Sequence, residues 1–325
     1  MVSLPLPLRQ AGVDCHPVHR PDRHWPQSNC SLDLWINFLH SKGLAPEALM
    51  GTLVQIDDEG DQFSFCKFDT SDLSAMHGLV LRELAIFDNL QSHIATQVAR
   101  GNLVMVELDG FHMPDTATSS YQREHTKTTM GIDLIDPVER KLGYFHNAGY
   151  YALDGADYDA LFQVDSVDRA ATSALFPYAE YVLLKSEPLR GDALKQVAMD
   201  ALRRHLSLAP RANPFESYLA RFDADVAMLI ARGNAYFHVY AFNHFRQFGA
   251  VFGLLAAFIE WLEQDSSWSL PLIEHCEQIA AKAKLLQFRV VRAVARGRGD
   301  DSRLIVSELA AHWDAVIAGL RQRFA

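Results

Sequence analysis

TKTTMGIDLIDPVERKLGYFHN, residues 126–147, reads as two strands around a turn. β-Formers fill 126–136, the pair Asp136-Pro137 opens a polar break, and KLGYFH at 141–146 resumes the extended pattern. A hairpin around DPVERK places the end of its second strand near the start of its first. Working outward from it, GTLVQID (51–57), QFSFCKF (62–68), LVLRELAI (79–86) and NLVMVELD (102–109) also read as strands. Two helices are expected beside them, Cys30 to Ser41 and 88–100. The first has Leu32, Trp35 and Leu39 on one face, widened by Leu34 and Phe38, the apolar stripe of a helix packed on a sheet.

From about residue 156 the spacing becomes helical. DYDALFQV, SVDRAATSALFPYAEYVLL, GDALKQVAMDALRRHLSL and SYLARFDADVAMLIARG are read as helices, with APRANPFE (209–216) as a loop. Two closing segments around GRGDDS form an expected helical hairpin in which Asp301 or Ser302 caps the last helix. The fold class is therefore α+β, with a mixed domain over 1–155 and an all-α domain over 156–325.

Forty acidic against thirty basic residues give a formal charge of −10 in a chain of 325, which argues against nucleic acid or an anionic membrane as the main partner. The four cysteines, Cys15, Cys30, Cys66 and Cys276, form no CxxC pair or dense framework, so a reducing compartment is expected. MVSLPLPLRQAGVD has no basic segment followed by an apolar one, and the expected location is cytoplasmic. The apolar run 237–262 carries His238, Asn243, His244, Arg246 and Gln247, which favours a helix buried among others over a membrane span.

Cys30 opens the first helix, with Ser28 or Asn29 as N-cap. In a first turn, unpaired N–H groups and the positive helix end favour a thiolate, although a small buried residue fits the same position. Nucleophilic chemistry also needs a base. His125 lies where a polar loop runs into a strand, and His146 and Asn147 end the next one. A Cys, His, Asn triad is compatible with that order.

NCSLDLW, DDEGDQFSFCKF, VMVELDGFHMPDT, YQREHTKTTMGIDLIDP and KLGYFHNAGYY together resemble the bacterial family called domain of unknown function 1839, over most of the chain and most strongly from 25 to 155. That family is similar to the butirosin biosynthesis protein H group, which has a papain-like cysteine-enzyme fold and transfers an acyl group from a carrier-protein thioester to an amine. The resemblance implies Cys30 as nucleophile, His125 as base and Asn147 as orienting residue, with His146 and Asp136 as alternatives for the third. It implies an oxyanion donor at Gln27 or Asn29, although Gln27 lies only three residues before Cys30. No bound cofactor is implied. The phosphopantetheine arm of an acyl or aminoacyl carrier protein arrives as substrate, and a small amine is the acceptor.

Asp109, His112, Asp115 and Tyr121, in and before the loop GFHMPDTATSSYQRE (110–124), are candidate acceptor contacts, and Asp57, Asp58, Glu59 and Asp61 form an acidic turn. Lys284, Arg289, Arg292 and Arg296 concentrate positive charge in an acidic chain and are candidate docking residues for an acidic carrier. Rival expectations are a thioesterase or amide hydrolase on the same fold, a noncatalytic carrier-binding module, and a metal hydrolase using His16, His19 and His24 or His112, Asp115 and His125. No HExxH or close ligand pair supports the last, and no metal is expected.

Overall fold

A computed structural model describes residues 15–163, 177–263, 267–299 and 301–324. The segment 1–14 and most of the expected helix within 166–184 lie outside the described residues. The described residues form two compact units, neither continuous in sequence: one draws on 15–16, 30–44 and 73–189, the other on 17–29, 45–72 and 190–324.

The first unit is built on a six-stranded antiparallel sheet. Its strands are β1 (Leu79–Glu83), β2 (Leu103–Asp109), β3 (Lys127–Asp136), β4 (Lys141–His146), β5 (Gly149–Asp154) and β6 (Ala179–Leu184), in the order β1-β6-β2-β3-β4-β5. The hairpin expected around 137–140 is β3–β4, paired from Asp136↔Lys141 to Gly131↔Phe145. Asp136 Oδ1 closes its turn by accepting from the N–H groups of Val138 and Glu139, both at 3.0 Å. Helix α1 (Cys30–Ser41) covers one face. A Cβ on Gly131 would meet Leu34 at 3.3 Å, and the rings of Phe38 and Phe145 meet edge-on at 5.6 Å, so the helix lies close over β3 and β4. Because side chains alternate along a strand, Thr128, Met130, Tyr144 and His146 point to the other face. There Met130 and Tyr144 join Val104, Val106 and Ile132 in a core closed by Leu90 and Ile94 of α3 (Leu90–Ala99) and Tyr158 of α4 (Gly155–Phe162).

Three expectations fail. β6 pairs with both β1 and β2, so the sheet reaches Leu184 and the mixed region does not end at 155. Residues Pro46–Gln55 form a 3₁₀ helix, not the strand expected at 51–57; Pro46 opens it, and Gly51 admits the Phe258 ring, which a Cβ would meet at 3.1 Å. At 62–68 only an isolated bridge, Asp58↔Phe63, forms. A short helix, α2 (Thr70–His77), was not expected.

The second unit is largely helical: α5 (Gly191–Leu208), α6 (Pro214–Arg232), α7 (Asn234–Ala241), α8 (Gln247–Leu262), α9 (Ser269–Arg296) and α10 (Arg303–Phe324). Asn213 caps α6 through its Oδ1, which accepts from Phe215 N at 2.9 Å, with Pro214 at the first helical position. One π-helical turn, Phe242–Arg246, joins α7 to α8. The span Asn234–Leu262 is long and apolar enough to cross a membrane, but 72% of its most apolar window is buried inside the protein. In the acidic turn, the Asp58 side chain is fully buried and paired with Arg221 at 2.9 Å.

Candidate functional site

Strands β2 and β3 pair as far as Asp109↔Lys127, and the loop between them folds back on itself. Gly110 N donates to Thr126 O at 2.8 Å, Gln122 N to Phe111 O at 2.9 Å, and Thr116 Oγ1 to Gly110 O at 2.9 Å. A side chain at 110 would meet Thr126 Oγ1 at 2.8 Å and Ser120 Oγ at 2.9 Å, so glycine is required for this closure. The loop is therefore held in one shape, and it delivers His125 next to the end of β2.

Both oxygens of Asp109 are used there. Oδ1 accepts from Phe111 N at 3.0 Å and Thr126 N at 3.2 Å, while Oδ2 meets His125 Nδ1 at 2.6 Å. Burial alone would raise the Asp109 carboxyl, but hydrogen bonds from His125, Phe111 and Thr126 outweigh it and hold the group below its ordinary value. The Phe111 ring stacks on the imidazole at 4.4 Å and 14°. With Nδ1–H donated to an ionised carboxylate, Nε2 is the basic nitrogen of a fixed ring whose side chain is 72% exposed. Asp109, His112 and His125 line one cavity of about 440 Å³. Glu107 and Lys127, paired at 2.8 Å, add to its polar side, and Leu90, Leu108, Leu161, Phe162 and Tyr178 to its apolar wall.

Asp115 and Tyr121 lie elsewhere. Asp115 accepts from Tyr144 OH and meets His146 Nδ1, each at 2.5 Å, and His146 Nε2 meets Thr128 Oγ1 at 2.7 Å. Burial, then the Asp115 charge, pushes the Tyr144 hydroxyl far above its ordinary range, so it remains a donor. Tyr121 OH donates to Asp157 at 3.0 Å.

Cys30 is a half-buried free thiol in the first turn of α1, and its hydrogen-bond partner is Thr129 Oγ1 at 3.9 Å. No hydrogen bond joins Cys30, His125 and Asn147 to one another among the described residues. His125 lies four residues before Thr129, up to about 13 Å along an extended chain, and its carboxylate partner is Asp109. His146 is on the opposite face of the sheet from α1. Asn147 sits at φ 46° in the two-residue turn between β4 and β5, a left-handed position that asparagine tolerates, and its carbonyl accepts from Asn37 Nδ2 at 3.1 Å. Its amide nitrogen lies 3.4 Å from His146 Nδ1, with no bond to His125. Asp136, the other alternative, caps the β3–β4 turn. The expected oxyanion donors have other duties in the second unit: Asn29 Nδ2 donates to Cys66 O at 3.0 Å, and Gln27 Oε1 accepts from Arg246 at 3.0 Å.

Residues 14–184 match the DUF1839 N-terminal domain and residues 191–322 the DUF1839 C-terminal domain. The chain belongs to the DUF1839 family. The two family domains meet between 184 and 191, where β6 ends and α5 begins, which corrects the boundary expected at 155. No curated protein matches the chain.

For metals, His112, Asp115 and His125 do not converge, because Asp115 is turned to His146. Among the described residues one group has ligand atoms within 4.8 Å of one another, Asp69, Asp72 and His205. Asp72 there already binds both Arg204 and His205, and Gln55 binds the other nitrogen of His205. The sequence marks Asp109 and His125 only as separate candidates. Their partnership, with Phe111 stacked on it, follows from the β2–β3 register and had no local signal.

Proposed function

We propose that this DUF1839 protein transfers an acyl or aminoacyl group from a carrier-protein phosphopantetheine thioester to a small amine, with His125 and Asp109 as the acid–base pair. The observation that carries this is the 2.6 Å His125–Asp109 bond beside a cavity with one polar and one apolar side. An amine entering the cavity gives its proton to His125 Nε2 as its nitrogen attacks the thioester carbonyl carbon. Asp109 holds the ring and balances the imidazolium charge. The C–S bond then breaks, and the departing thiolate takes the proton from Nε2. Proton and charge return to their starting places, and no enzyme-bound acyl group is required. Water in place of the amine makes the same site a thioesterase.

The test is transfer from an aminoacyl-pantetheine thioester to an amine. Loss of turnover in His125→Gln with folding intact supports the proposal; full activity in that variant refutes it.

A second reading is favoured by the position of Cys30. A free thiol at the start of a helix packed on an antiparallel sheet supports a papain-like unit in which Cys30 carries the acyl group as an acyl-enzyme. On that reading a thioester leaves an acyl mass on the wild type that is missing in Cys30→Ala. A binding module without turnover would show neither transfer nor adduct.

A further inference from the structure

Helix α9 packs against α8 and α10, and Ile279, Ala283, Leu286, Val290 and Ala293 along it are all buried. Its last four turns leave another face in solvent. Leu285 and Phe288 are 46% and 58% exposed and lie next to one another on this face. Arg289, Arg292 and Arg296 are exposed beside them. At 100° per residue these five positions fall within an arc of about 100°, and from 285 to 296 they extend roughly 17 Å. The segment 282–298 contains no Asp or Glu, in a chain whose net charge is −10.

Lys284 and Lys282 are not part of this face. The Lys284 ammonium lies 3.7 Å over the Trp25 ring, with its pKa lowered by burial and by Arg246, and Lys282 is paired with Glu308 at 2.8 Å. This face thus differs from the expected docking set, which included Lys284 and no apolar residue.

We infer that the stripe formed by Leu285, Phe288, Arg289, Arg292 and Arg296 docks an acidic protein surface, that of the carrier bearing the thioester. The choice of carrier rests on the acyl-transfer reading; the acidic character of the partner does not. Two large apolar side chains supply a desolvated patch at one end, and three guanidiniums supply the forked donors that match carboxylates. A second copy of this chain is a poor occupant, because a two-fold contact through this stripe would set arginine against arginine. An acidic partner meets complementary charge from Arg289 to Arg296, with an encounter that weakens as salt rises.

The test is fluorescence anisotropy of a labelled holo acyl carrier protein from the same organism, titrated with the full-length chain at low and high salt. Binding should be salt-sensitive and weakened on the order of 10²-fold in an Arg289→Glu/Arg292→Glu/Arg296→Glu variant. The exposed change Phe288→Ser should weaken it at all salt concentrations. Circular dichroism checks the fold, and an Arg292→Gln/Arg296→Gln pair serves as the milder variant. No binding by the wild type, or equal binding by all variants, overturns the docking inference. Binding to phosphatidylglycerol vesicles in place of the carrier also overturns it, in favour of a membrane. Carrier binding that depends on the stripe but leads to no acyl transfer leaves docking standing and removes the acyl-transfer reading.

Discussion

Two histidine–aspartate pairs lie in the same sheet unit with nearly the same geometry, yet they are suited to different tasks. His125–Asp109 meets at 2.6 Å with side chains 72% and 36% exposed, and His146–Asp115 at 2.5 Å with 1% and 3%. The first keeps one ring nitrogen for an outside partner. The second is bonded at both nitrogens, to Asp115 and Thr128, and Asp115 also accepts from Tyr144. The difference shows that a short His–Asp contact is not by itself a sign of catalysis. Burial decides whether the pair can exchange a proton with a substrate or only tie a loop to a sheet.

The widest separation between the pairs is expected in kinetics. His125→Gln should lower the rate of thioester aminolysis by about 10³-fold, while its urea midpoint moves by no more than about 0.5 kcal/mol of stability. Asp115→Asn should reverse that pattern, losing roughly 3 kcal/mol of stability in urea because it disrupts a buried hydrogen-bonded pair and its Tyr144 contact. Equal stability losses at the two sites would erase the distinction. A smaller effect is expected for Phe111→Leu, which removes the ring stacked on His125. About 1 kcal/mol of positioning, or roughly a fivefold fall in kcat, should be lost with little change in KM for the thioester.

The smallest effect is pH dependence from Asp109. Its folded-state pKa lies below the ordinary carboxyl value of 3.8, so its contribution to stability is present above that value and is lost as pH falls through the lower folded value. Asp109→Asn should therefore lie below wild type in a urea-midpoint profile at neutral pH and converge on it as pH falls through the lower folded value. A difference from wild type of the same size at every pH would contradict the assignment.

Much of the sheet unit was legible because its signals are local. The apolar stripe of α1 and the β-rich runs of β2, β3 and β4 can each be read within a dozen residues. β6 was not, since AEYVLL follows a helix-like stretch and becomes a strand only by pairing between β1 and β2. GTLVQID alternates like a strand, but it is buried along its length in the second unit and closes as a 3₁₀ helix behind Pro46. The candidate site divides the same way. Residue types suggested Cys30, His125, Asp109 and His112, while register decided the company each keeps. Four residues separate the thiol's neighbour Thr129, in β3, from His125 in the loop before it, a placement that composition does not encode.

The central claim is that the reacting centre is His125–Asp109 and that the acyl group passes directly to the amine. Rapid-quench single turnover with intact-mass detection of the wild-type protein tests it most directly. The account predicts product appearing with no acylated protein at any time point, and the same time course in Cys30→Ala. An acyl mass on the Cys30 peptide that forms and decays at the rate of turnover would contradict it.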